Sequence, residues 1–262
     1  MKAFIMVLTV MSTLLFAPLD ALDASGEPAA DTASGSAVGD SASIGRPEAD
    51  RVVLASVKTI ERLHQGDDRV RPEVLRQAAA IAVFPRIDAV SGGGVFNGDG
   101  ILVARRAEGW SLPVFVNYSV ENGEPSSLRS ASDGLILVFK HTENVRQLAE
   151  GFDFILGSDA TVAAGSGIPV QTAQIVAYAP QSATLDESVL QGAAITLQSG
   201  PLGEYYRLNQ DAVREYFGEE EQLIRQFLGL DQEINSNAQG IDNVPESATL
   251  LQQKLNDLPG GE

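Results

Sequence analysis

Chemistry in this chain has to come from carboxylates, hydroxyls and a short cationic stretch, because the other reactive side chains are nearly absent. The sequence holds no cysteine and two histidines, His64 and His141. Thiol nucleophiles, disulfide frameworks, thiolate zinc sites and acylation at a lipobox cysteine are therefore excluded. Two histidines are also too few for a multi-histidine metal cage. A G-x-S-x-G nucleophile elbow does not occur: Gly165-Ser166-Gly167 and Ser199-Gly200 miss the spacing that exposes a serine on a strained turn. No G-x-x-x-x-G-K-[ST] phosphate loop exists, only four lysines are present, and GGGVFNGDG lacks the G-x-G-x-x-G spacing. Glu219-Glu220-Glu221 has the character of a helix N-terminus, where carboxylates complement the dipole instead of working as an acid–base pair. No D-x-[DN]-x-[DN]-G calcium loop is present. The expectation is a protein that is not an enzyme and uses no metal or cofactor.

What remains is charge. The 262 residues carry 18 Lys and Arg against 35 Asp and Glu, a formal net charge of −17. That balance argues against a general nucleic-acid binder, whose affinity comes from clustered basic residues. The distribution is uneven. From Arg46 to Arg106, 10 basic residues meet 8 acidic ones, while residues 107–262 hold 7 against 22. Any anion is expected to bind in the first third of the folded part.

The elements that position those cations follow from periodicity. Met1-Lys2 and the apolar run Ala3–Ala17 read as a secretory signal peptide over 1–24, cleaved after Ala21 or Ala24. That run is 15 residues, short for a bilayer span. A periplasmic or secreted location is expected, with the mature protein free because no cysteine follows for acylation. Residues 25–46, built mainly of Ala, Ser, Gly and Asp, are expected to be a disordered linker. A helix is predicted over 48–64 from the apolar stripe Val53, Val57, Ile60 and His64, widened by Val52 and Leu63, with Gly66 as its stop. A second short helix over 72–80 opens on Pro72. Strands are predicted at 81–84, 100–105, 112–118, 134–140, 161–164, 174–178 and 189–197, with a helix at 143–150. Gly92-Gly93-Gly94, Asn97-Gly98 and Asp99-Gly100 read as hairpin turns. Helices return at 209–217, 219–228 and 247–255. The expected class is α+β: a Gly-rich antiparallel sheet, free to close into a barrel, flanked by N-terminal and C-terminal helices. One domain is expected at 47–218, followed by a helical extension at 219–262.

The order PEVLRQAAAIAVFP, GGGVFNGDGILVAR, EGWSLPVFV resembles the SYLF family. The resemblance continues through DGLILVFKHTENVRQLAEGFDFILGSDATVAAG, IVAYAPQ and NQDAVREYFG, covering about residues 70–218. Pro72, Phe84, Pro85, Gly100, Trp110, Pro113, Tyr178 and Gly192 are among the matching positions. The family is described as lipid-binding and, in fungal members, actin-binding. The actin role belongs to intracellular members and does not suit an exported chain. The resemblance implies a non-enzymatic domain for phospholipid head groups, with an amphipathic N-terminal helix contributing to membrane contact. The chain also departs from the family pattern. Asp88-Ala89 stands where members usually show a lysine, and Gly165-Ser166-Gly167-Ile168-Pro169 lacks the arginine of Gly-Pro-x-Gly-Arg. Ala183-Thr184-Leu185-Asp186-Glu187 replaces Gly-Leu-Phe-Ala-Gly, so each change trades basic or apolar character for acidic or polar.

On the lipid reading, helix 48–64 lays Val53, Val57 and Ile60 into the head-group boundary. Arg51, Lys58 and Arg62 then meet phosphates, at about 1 kcal/mol per cation near an anionic surface. Arg86, Arg105 and Trp110 complete the candidate lipid-contacting set. The competing reading packs the same stripe, with Phe84 and Trp110, into the core. Two functions stay open: a phospholipid-binding protein of the cell envelope, or a scaffold module docking a protein through its acidic half and C-terminal helices. The expected partners are a phospholipid or membrane surface and, on the second reading, a protein; nucleic acid is not among them.

Overall fold

Three apolar runs, AIAVF, LILVF and IVAY, lack the polar alternation of a half-solvated strand, so they belong in a sheet covered on both faces. The computed structural model describes residues 46–65, 70–90, 95–121, 133–150, 153–163, 169–179, 187, 190–208, 220–230 and 244–258. In it these runs are β1 (Ala80–Phe84), β6 (Leu135–Phe139) and β9 (Ile175–Tyr178), buried at every residue. The remaining strands are β2 (Asp88–Ala89), β3 (Val95–Arg106), β4 (Gly109–Trp110), β5 (Val114–Glu121), β7 (Phe154–Ile155), β8 (Ala160–Val162) and β10 (Ala194–Gln198). The helices are α1 (Arg46–Gln65), α2 (Pro72–Arg76), α3 (Thr142–Ala149), α4 (Ser199–Tyr206), α5 (Glu220–Leu228) and α6 (Glu246–Asn256).

The strand order is β7-β10-β5-β3-β1-β6-β9-β8, with β2 and β4 paired onto β3. The expected α+β class and helical flanks are found. The expected antiparallel pairing holds for every pair except β8 with β9, which is parallel, so the sheet is mixed. Chain continuity forces a strong curl. β7 and β8 are the two ends of the order, yet only residues 156–159 separate them, a reach of about 18 Å at most. Across the concave side, Phe154 of β7 meets Phe139 of β6 with ring centroids 5.9 Å apart. The sheet is a half-barrel.

Both faces are covered. Register and alternation put Ile81, Ile101, Phe115 and Ile136 on the convex face, where α1, α4 and α6 pack against the sheet and each other. Ala82, Leu102, Leu137 and Phe139 line the concave face, filled by α3 with α5 beside it. Leu223, Ile224 and Phe227 of α5 and Leu251 and Leu255 of α6 are buried in the same core as the sheet. The expected boundary at 219 therefore divides no hydrophobic core.

Several local expectations are corrected. Asn97-Gly98 and Asp99-Gly100, predicted as turns, lie inside β3. Their glycines serve close approach: a Cβ on Gly98 would stand 2.5 Å from the Arg86 carbonyl oxygen, and one on Gly100 2.4 Å from that of Val83. The second helix ends at Arg76 and not at 80, because the Ala79 N–H is taken by the Phe139 carbonyl at 2.7 Å and the chain joins the sheet. α4 was not foreseen, since Gly200, Pro201 and Gly203 are poor helix formers; burial of Leu202, Tyr205 and Tyr206 overrides propensity. The signal peptide, residues 25–45 of the expected linker, the Gly66 stop, the Gly92-Gly93-Gly94 turn and the helix at 209–217 lie outside the described residues, while Arg46, expected to end the linker, begins α1. Among the described residues, no helix is long and apolar enough to cross a membrane.

Candidate functional site

α1 divides its residues sharply. Ala49, Val53, Ser56, Val57, Thr59 and Ile60 are buried, so the apolar stripe packs onto the convex face of β1 and β3. Of the two readings of Val53, Val57 and Ile60, burial bears out the one that packs them in the core, where Ile81 and Ile101 beneath them need the cover. The two hydroxyls in the stripe are satisfied locally, Ser56 Oγ donating to the Val52 carbonyl at 2.8 Å and Thr59 Oγ1 to that of Ala55 at 3.1 Å.

The opposite face carries Arg51, Lys58 and Arg62, all exposed, at helical spacings of seven and four that place them in one row. Arg51 Nη1 is 2.7 Å from Glu48 Oε2, one turn earlier. Arg62 Nη1 donates to the Asp133 carbonyl at 3.4 Å. Lys58 has no ion-pair partner among the described residues. Beside this row Leu54 is 42% exposed.

α6 is clamped along α1 by polar bonds. Ser247 Oγ donates to Asp50 Oδ1 at 2.7 Å and lies 2.6 Å from the Tyr205 hydroxyl of α4. Burial pushes that tyrosine up to about 12. Farther along, Lys254 Nζ is 2.7 Å from Glu61 Oε1, and this contact raises the ammonium above its ordinary value.

The other expected contact residues are placed elsewhere. Arg86, on the β1–β2 connection, is exposed and paired with Asp88 Oδ1 at 2.7 Å. Arg105 faces inward, Nε donating to the Ala78 carbonyl at 3.0 Å and Nη2 to that of Leu75 at 2.9 Å. Its guanidinium lies 4.4 Å from the Trp110 ring centroid, and Trp110 is only 4% exposed. The neighbouring Arg106 points to the other side, as strand alternation requires, and its Nη2 donates to the Gln226 and Phe227 carbonyls at the end of α5. Burial lowers both guanidinium groups below their ordinary range. His141 stands exposed before α3, its side chain capping nothing.

The structure thus brings Arg51, Lys58 and Arg62 together and separates them from Arg105 and Trp110, which clamp α2 to the sheet. Leu54, Leu250 and Lys254, which border the cationic row, are not among the residues expected from sequence. The signal was present: Leu54 lies outside the stripe set by Val53, Val57 and Ile60, so helical geometry turns it outward. Inside the fold, Ile60, Leu75, Ile81, Ile136 and Leu255 help line a cavity of about 20 Å³, room for a water molecule and not for an acyl chain. No family model matches the chain, and neither does any curated protein or solved structure.

Proposed function

We propose that the chain is a non-enzymatic phospholipid-binding protein of SYLF type, exported to the cell envelope, which binds anionic head groups through the outer face of α1. One observation carries the reading: Arg51, Lys58 and Arg62 rise in a single solvent-facing row while the opposite row of the same helix is fixed in the core. The cations are thus held in order before binding. At about 1 kcal/mol each near an anionic surface, they supply about a hundredfold in affinity at low salt.

Surface binding needs no cavity, whereas extraction of a lipid needs a pocket of several hundred Å³ for the acyl chain. It also suits the helices better than the scaffold reading. The apolar residues Leu223, Ile224 and Phe227 of α5 and Leu251 and Leu255 of α6 are turned inward, leaving no aromatic anchor on either helix for a protein partner.

The test is flotation of residues 25–262, which lack the apolar run that would bind vesicles by itself. Anionic vesicles at low salt are expected to carry the protein, moderate salt to release it, and neutral vesicles to leave it behind. Arg51→Ser, Lys58→Ser and Arg62→Ser together are expected to weaken binding about a hundredfold. Flotation on both vesicle types that resists salt would indicate apolar insertion. No flotation, with no lipid extracted from the purified protein, would reject the lipid reading and leave the scaffold.

A further inference from the structure

Two bonds set the register of α6 along α1: Ser247 to Asp50 and Lys254 to Glu61. On α1, Asp50, Leu54, Val57 and Glu61 follow one helical row; on α6, Ser247, Leu250 and Lys254 follow another. Leu54 and Leu250 therefore flank the same seam at the same level. Both remain open to solvent, at 42% and 36%. Lys58 stands one turn beyond Leu54, and Lys254 one turn beyond Leu250.

We infer that α6 is a second membrane-contacting element: Leu250 and Leu54 enter the interfacial layer of an anionic bilayer together, with Lys58 meeting the phosphates beside them while Lys254 stays paired with Glu61 and holds the two helices in register. The inference rests on the reading of α1 as the lipid-binding face. An anionic bilayer is the occupant for two reasons. Lys58 and Arg62 have no carboxylate partner among the described residues, so the lip of the seam calls for an external anion. Two leucines are also far below the roughly 800 Å² that a protein partner buries on each side, whereas shallow insertion needs only a few apolar anchors ringed by cations.

The chain contains no cysteine, so Leu250→Cys and, separately, Leu54→Cys can each carry one environment-sensitive fluorophore. Ile155→Cys, exposed on β7 at the sheet edge, is the reference. Vesicles of equal parts phosphatidylcholine and phosphatidylglycerol are expected to shift the emission at 54 and 250 to the blue and to leave that at 155 unchanged. Leu54→Ser with Leu250→Ser is expected to weaken flotation about tenfold without lowering the unfolding midpoint. Flotation with a shift at 54 but none at 250 overturns the inference and leaves the α1 reading standing. A shift at 250 that needs no vesicles and grows with protein concentration assigns the patch to a second copy and overturns it as well. Absence of flotation rejects both.

Discussion

Arg105 and Arg106 are adjacent in sequence and hold different helices. Arg105 reaches the carbonyls of Leu75 in α2 and of Ala78 just beyond it on the convex face, and Arg106 the last carbonyls of α5 on the concave side. A guanidinium can satisfy several orphan carbonyls at once, which lysine cannot do with the same planar fork. Arg105→Ala also removes the stacking on Trp110, and a loss of about 2–3 kcal/mol is expected in urea unfolding. Anionic-vesicle flotation of the folded variant is expected to stay unchanged, because Arg105 is not on the binding face. Glycines divide in the same way by what surrounds them. Gly100→Ala would drive a Cβ to 2.5 Å from the Phe84 ring and 2.4 Å from a backbone oxygen, at a cost of about 3 kcal/mol. Gly157→Ala meets nothing nearer than 3.7 Å and is expected to stay within about 0.5 kcal/mol of the parent. Thermal unfolding of the two variants checks both. None of this is readable from sequence alone: a pair of arginines or an Asp-Gly dipeptide looks the same whether it faces solvent, a carbonyl or a ring.

At the scale of elements, α1 was largely legible and its surroundings were not. Three- and four-residue spacing of Val53, Val57 and Ile60 set both the helix and its buried side, because apolar periodicity is a local property. Neighbouring positions on that helix therefore predict opposite outcomes. Val57→Ser is expected to cost about 2–3 kcal/mol in stability with little effect on vesicle binding by the folded fraction. Lys58→Ser is expected to leave the unfolding midpoint within a degree or two and to lower binding to anionic vesicles about fivefold. Flotation and thermal melts on both variants separate the two faces. α4 was illegible because Gly200, Pro201 and Gly203 carry no helical signal; its aromatic contacts, Tyr205 on Phe115 and Tyr206 on Phe227, come from distant parts of the chain. The two-residue strands β2, β4 and β7 were missed for a related reason. Pairing with a long neighbour makes them strands, and no pattern two residues long can announce it. Within the cationic site, the row on α1 followed from spacing, whereas the part played by Leu250 and Lys254 depends on which helix lies against α1.

For the whole molecule, buried tyrosines set the alkaline limit. Burial raises Tyr118, Tyr178, Tyr205 and Tyr206, the third of them to about 12. The folded state keeps the neutral hydroxyl while the unfolded chain ionises near its ordinary value of 10.0. Above that pH the unfolded state binds fewer protons, so stability is whole below about pH 10 and drains away as pH rises toward about 12. Urea midpoints measured from neutral to strongly alkaline pH are expected to hold level and then fall across that window. Tyr205→Phe is expected to lose about 1 kcal/mol at neutral pH with its bond to Ser247, and to show a shallower alkaline decline.

The curl of the sheet has a bearing on self-assembly. An open sheet of this size would offer two long ladders of unpaired amides to any neighbour, the usual starting point for fibrils and swapped dimers. Here one margin, β7, is two residues long and the other, β8, is buried, and four residues of chain lash the margins together. Among the described residues, neither of these margins offers a long open ladder to a neighbour. Templated growth through these margins therefore requires rupture of that lashing, and its lag is expected to follow the rate of unfolding before it follows the protein concentration.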